Sequence, residues 1–408
     1  MIIGGLKMLD IKNITQEVTN ENYKELPLYF PSPIYYSLYA AIRFSILLTS
    51  EKTYPWFYSN FIQLRFDNEI FENQLQYDNE KKRKLGFPDH ILHIYPIEVM
   101  KKDYKGASLF FDEINLNSNI FQFKKETLIS EMVDYLNNGY YITTHLDVSK
   151  LPGTRYYNGI PTVHSVLIYA YDLEEKCFKH TDFQNNGSMT IIKIDFEDFI
   201  NAFFSDSVPE SQRIEKMRSK YYLGLCKIND ENTFSFDVES IKLLLSDYLN
   251  ASNTSKRYNL LLPEKRGIYG VEVYNAIIKY IKTTSSLNDM IDYRVFHVIY
   301  EHKKMMTCRF EYFESIGILD SDLNISKKFS AVEKKANDLR NLVLKYTYTK
   351  EKNILNLIIS ELNEICSQER PIIAECINRL SSDKIHKSSI VDQMYLNSSM
   401  EKQYLNIL

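Results

Sequence analysis

Near residue 230 the apolar pattern changes its period from about two to about 3.6, and this change constrains the fold more than any single motif. Before it lie short runs rich in β-branched and aromatic residues: 63–66, 90–95, 108–111, 140–146, 163–171, 177–181, 190–194 and 221–226. After it, apolar residues recur at helical spacing in 238–248, 271–281, 292–313, 331–346, 351–366 and 371–380. In the third of these, Val295, Ile299, His302, Met306 and Phe313 mark one largely apolar stripe. The polar stretch 229–232 lies at the change. The expectation is an α+β domain over residues 1–230 followed by an all-α helical bundle over residues 231–408.

Two helices are expected inside the first domain. Leu128, Met132 and Leu136 recur every fourth residue within 126–138, and Gly139 stands where a left-handed cap would end that helix. Residues 196–204 form the second, with Asp195 as its N-cap. Trp56, in the aromatic cluster 54–58, is expected to anchor the core beneath an early helix.

Composition narrows the partners. The 408 residues are 44% hydrophobic, enough for two domains with separate cores, and 49 basic against 53 acidic residues leave a net charge of -4. No basic stripe is present to neutralise a phosphate backbone, so nucleic acid is not an expected partner. Five cysteines without a CxxC pair argue against a zinc knuckle or disulfide framework and for a reducing cytoplasm. The N-terminus has no signal-peptide pattern, and no apolar run reaches the length of a membrane span.

The chemistry-bearing pattern begins at His164, which opens the apolar strand 163–171, with Asp182 at the end of the following strand. A histidine at a strand mouth and an acid at hairpin distance are what a general base and its orienting partner require. Helix 32–44 opens with Ser32 as N-cap and Pro33 at its first position, and Ser32 and Ser37 are the small hydroxyls of that turn. The bland reading of Ser32 is a cap. His180, two residues before Asp182, shares its face if the strand is regular and takes the opposite face if a bulge intervenes, and Cys177 is read as a small buried hydrophobe. His90 and His93 lack a third ligand at metal spacing, and Glu301 and His302 with His297 do not form HExxH, so no metal is expected.

The run from Tyr140 to Phe204, with His164 leading into Val166-Leu167-Ile168-Tyr169-Ala170-Tyr171-Asp172, resembles the butirosin-type, papain-like proteins of nonribosomal peptide and antibiotic gene clusters. The helical half is similar too, especially Asp292-Tyr293-Arg294-Val295-Phe296-His297 leading to Glu301-His302-Lys303. The resemblance implies a papain-like cysteine protease-type domain and acyl transfer from a carrier-protein thioester to a small-molecule amine, forming an amide. It implies His164 as base and Asp182 as the group holding its tautomer, with Asn185 as substitute for Asp182. The phosphopantetheine arm of an acyl or peptidyl carrier protein would bring the substrate, and no other cofactor is implied. Family members carry cysteine in the opening turn of the early helix, where this chain offers only Ser32 and Ser37. An inactive relative that holds a carrier protein or product is the alternative, in which case Tyr35 or Tyr36 would fill the nucleophile's place. A third reading is a cluster-associated regulator or immunity protein. The apolar helices of the second half could also bury a second copy of the chain.

Overall fold

The computed structural model describes residues 13–76, 82, 89–96, 110–183, 189–209, 219–229, 231–232, 234, 236–258, 264–287 and 290–381. In chain order the elements are β1 (Val18–Thr19), β2 (Tyr23–Glu25), α1 (Leu38–Leu47), α2 (Tyr54–Ser59), β3 (Gln63–Phe66), α3 (Asn68–Gln76), β4 (Leu92–Tyr95), β5 (Phe111–Asn117), α4 (Leu128–Asn137), β6 (Tyr141–Asp147) and β7 (Val163–Asp172). They continue with β8 (Cys177–Phe183), β9 (Met189–Asp195), α5 (Phe196–Phe203), β10 (Tyr222–Ile228), α6 (Val238–Leu249), β11 (Ile268–Tyr269), α7 (Val273–Ser286), α8 (Arg294–Ser315), α9 (Ile325–Thr349) and α10 (Lys352–Arg379).

These elements divide into a sheet unit and a mainly helical unit. The sheet unit takes residues 13–53 and 110–232, and the helical unit takes 54–96 and 234–381. The first boundary differs from the continuous 1–230 domain expected from periodicity. Residues 54–96 go with the helices because β3 pairs with β11 and Tyr58 stacks on Tyr312 at 4.5 Å. Trp56 is buried as expected, but it packs on Phe61 inside this helical unit.

The sheet unit is one antiparallel sheet in the order β1-β2-β7-β6-β10-β5, with β8 and then β9 added beside β7. Its longest strand, β7, is paired with β8 on one side and with β6 and β2 along the other. Six consecutive residues from Val166 to Tyr171 are buried, as expected of a strand covered on both faces. One face carries α4 and α5: Tyr171 donates to Asn137 Oδ1 at 2.7 Å, and Phe178 packs on Phe196 and Phe199. The other face carries α1, whose Tyr39 reaches His145 of β6.

In the helical unit α8, α9 and α10 follow one another over short connections around a core that includes Phe310, Phe329, Val332, Leu339, Ile358 and Leu362. Sequence patterning predicts a break before Pro371, yet α10 runs unbroken from Lys352 to Arg379. The buried residues Ile358, Leu362, Ile365, Glu369 and Ile373 hold one stripe across the proline, so packing outweighs the single backbone donor that proline lacks. Among the described residues no helix is long and apolar enough to cross a membrane.

Candidate functional site

His164 lies at the second position of β7, opposite Leu146 of β6. Strand alternation puts it on the face of Val166 and Ile168, the side covered by α4 and α5. Strand β8 pairs with β9 without a register shift, so Phe178, His180 and Asp182 share one face. The irregularity lies on β7 between Ile168 and Ala170. Ile168 stands opposite His180, which puts His164, His180 and Asp182 on the same side of the sheet.

The connection from β6 to β7 walls this site. Asp147, at the end of β6, is fully buried and accepts from Ser149 N, Ser149 Oγ, Thr162 N and Ser205 Oγ, the last at 2.7 Å. These bonds hold both ends of the turn-rich segment 148–162. Midway along it, Tyr156 packs its ring 5.7 Å from that of His164, and the Arg155 guanidinium lies over the Tyr156 ring.

The His164 side chain is 23% exposed, whereas Asp182 beside it is almost fully buried. His164 Nδ1 and Asp182 Oδ1 stand 4.0 Å apart, which is an ion-pair distance and too long for a hydrogen bond. Asp182 Oδ1 accepts from the Phe183 amide at 2.6 Å, and Oδ2 has no hydrogen-bond partner among the described residues. Burial pushes the Asp182 carboxyl up to about 6, against the opposing pull of the Phe183 amide and the Arg155 charge. His180 is fully buried, with the Thr181 backbone beside its ring. Burial drives its pKa down to about 3, with the neighbouring His164 adding to the fall, so the ring is neutral.

The expected nucleophile is placed differently. Helix α1 starts at Leu38 with Ser37 as N-cap, not at Ser32. Ser32 lies in the preceding irregular segment with its hydroxyl donating to Ile34 O at 2.9 Å, a local bond that competes with helix formation. It is 1% exposed, and among the described residues no hydrogen bond joins it to His164 or Asp182. Tyr35 packs its ring against Phe183, whose side chain is on the opposite face of β8 from Asp182. Tyr156 is one ring that packs beside His164. Asn185 lies outside the described residues.

Thiols do not replace the serine. Cys177 and Cys226, the cysteines of the sheet unit, are buried, and burial raises both, Cys226 to about 12. Among the described residues no group of three or more His, Cys, Asp or Glu side chains is placed to hold a metal ion.

A pair that sequence reasoning missed lies on the α1 face. His145 and Ser165 stand directly opposite one another on β6 and β7, with Ser165 Oγ 2.9 Å from His145 Nε2. Tyr39 OH lies 3.3 Å from the same nitrogen. Comparison with protein-family models gives no match, and comparison with curated protein sequences gives none.

Proposed function

We propose that the sheet unit is a papain-like acyl-transfer module that forms an amide without a covalent intermediate on the protein. A small-molecule amine attacks the carbonyl carbon of a thioester carried on the phosphopantetheine arm of an acyl or peptidyl carrier protein. His164 takes the amine proton, the carbon–sulfur bond breaks, and the departing thiolate takes that proton back. Asp182 supplies the negative charge that favours the imidazolium as it forms.

The observation that carries this reading is the half-buried imidazole of His164, 23% exposed, held 4.0 Å from a desolvated carboxyl and beside Tyr156. An approach of about 1 Å brings the pair into hydrogen-bond range, a tightening common when substrate closes a site. Proximity of amine and thioester supplies much of the remaining acceleration, because thioester aminolysis needs positioning more than it needs a strong base. Free thiols suit a reducing compartment, and cytoplasmic work beside a carrier protein is consistent with that.

The second reading is an inactive scaffold that binds a carrier protein or product. It is favoured by the committed Ser32 hydroxyl and by the length of the His164–Asp182 pair. One experiment separates the two. The full chain is incubated with an acyl-phosphopantetheinyl carrier protein and a panel of amines, and products are read by mass. Amide that disappears in His164→Ala supports transfer. Carrier binding without turnover, unchanged in His164→Ala, supports the scaffold.

A further inference from the structure

On the face of the sheet turned away from His164, the antiparallel register sets His145 directly opposite Ser165. Side chains at such a position start about 5 Å apart at Cβ, close enough for a hydroxyl to reach an imidazole without strain. The resulting Oγ to Nε2 distance is 2.9 Å, inside the range at which a base activates a nucleophile. Tyr39 of α1 approaches the same nitrogen at 3.3 Å. When both hydroxyls donate to Nε2, the ring carries its proton on Nδ1, which is the tautomer a base requires.

The pair borders a cavity of about 40 Å³ whose walls include Tyr39, Ile42, Arg43 and Tyr222. That space holds a water or a two-carbon acyl group but not a long chain. Arg43 also lines it, paired with Glu113 and set over the Phe111 ring. His145 and Ser165 are each 8% exposed, enough shielding to strengthen these interactions and enough opening for a small reagent.

We propose that Ser165 and His145 form an acyl-accepting site for small activated esters or thioesters, separate from the site of His164. Ser165 Oγ attacks the carbonyl carbon, its proton passes to His145 Nε2, and the bond to the leaving alcohol or thiol breaks as that group takes the proton. Water then attacks the acyl-serine, again giving a proton to His145, and the carboxylic acid leaves as Ser165 recovers its hydrogen. Nothing in this step uses His164, Asp182 or Ser32.

The test uses the full-length protein with methanesulfonyl fluoride and with p-nitrophenyl acetate, followed by intact mass and peptide mapping. The expected result is a single methanesulfonyl adduct on Ser165, lost in Ser165→Ala and formed at least tenfold more slowly in His145→Gln. An acetyl adduct at the same residue should accompany release of p-nitrophenol. Because Ser165→Ala could disturb the sheet, Ser165→Cys provides a second reading: its new thiol should be alkylated by iodoacetamide faster than the same protein's buried thiols. No adduct on Ser165 in the folded wild type, or labelling as fast in His145→Gln, overturns the proposal. Labelling at Ser165 without amide formation from carrier thioesters supports this site while the proposed transfer fails, and amide formation without labelling does the reverse.

Discussion

Asp182→Asn should raise the stability of the protein at neutral pH, although it removes a charged group from the candidate site. The folded-state pKa of Asp182 is raised from 3.8 to about 6, chiefly by burial. A carboxyl raised in this way contributes most when protonated, and that stability is lost as pH rises from about 4 through about 6, then stays lost. The shift of about two units, at about 1.4 kcal/mol per unit, sets an upper bound of about 3 kcal/mol. Asparagine cannot ionise, and its carbonyl oxygen keeps the bond from the Phe183 amide. Its amide nitrogen adds a buried donor whose cost does not vary with pH, so the pH dependence of the difference comes chiefly from the titration of Asp182. Arg155 and His180 are present in both proteins, and His164 loses the charge of its 4.0 Å partner in the variant. Urea unfolding at half-unit steps from pH 4 to pH 8 reads the difference. It should grow in favour of the variant by 2 to 3 kcal/mol between pH 4 and pH 6.5 and then level off, as estimated from the linkage relation. A difference of equal size at pH 4 and pH 7.5 would refute the claim that burial holds this carboxyl in a costly ionised state.

Three further outcomes follow from other parts of the structure. His180, buried and neutral with its pKa lowered to about 3, makes the fold lose stability as pH falls below about 6.5, and His180→Phe should flatten that acid limb in the same urea series. In the helical unit Lys303 and Glu369 form a fully buried pair at 2.6 Å, joined by the Tyr248 hydroxyl, which donates to Glu369 Oε1 and accepts from Lys303 Nζ. Lys303→Met should cost about 3 to 5 kcal/mol by leaving a buried carboxylate alone, and adding Glu369→Leu should recover most of it in chemical denaturation. Asp147→Ala should remove the anchor of segment 148–162, with limited proteolysis cutting that segment faster than in wild type and stability falling by about 2 kcal/mol.

Much of the fold was legible because burial writes a period into the sequence. Strands β3, β4, β6, β7, β8, β9 and β10 fall within a few residues of the apolar runs that predict them. Gly139, at φ 80, ends the segment of α4 where the left-handed cap was expected. Most of β5 escaped notice because Asp112 to Leu116 are exposed or only partly buried, so the strand rests on backbone pairing with β10 and little on apolar pattern. The placement of 54–96 with the later helices also left no periodic signal, since it depends on strand pairing and ring stacking between distant residues.

The site was legible in part. A strand pattern identifies which residues share a face only where the strand is regular, and the regular register of β8 is what places His180 with Asp182. It does not give the start of α1, where the Ser32 hydroxyl bonds locally to Ile34 O and the helix begins six residues later. It also does not reveal His145 opposite Ser165, because that requires the register between β6 and β7. Given that register, a serine and a histidine at facing positions would have been the signal.

Amide formation from a carrier-bound thioester tests the central claim most directly, with wild type and His164→Ala compared under identical carrier and amine concentrations. The account predicts amide product with wild type, a loss of at least about a hundredfold in His164→Ala as expected for removal of a general base, and no acyl adduct on Ser32. Equal amide formation by the two proteins, or carrier binding with no product from either, would contradict it.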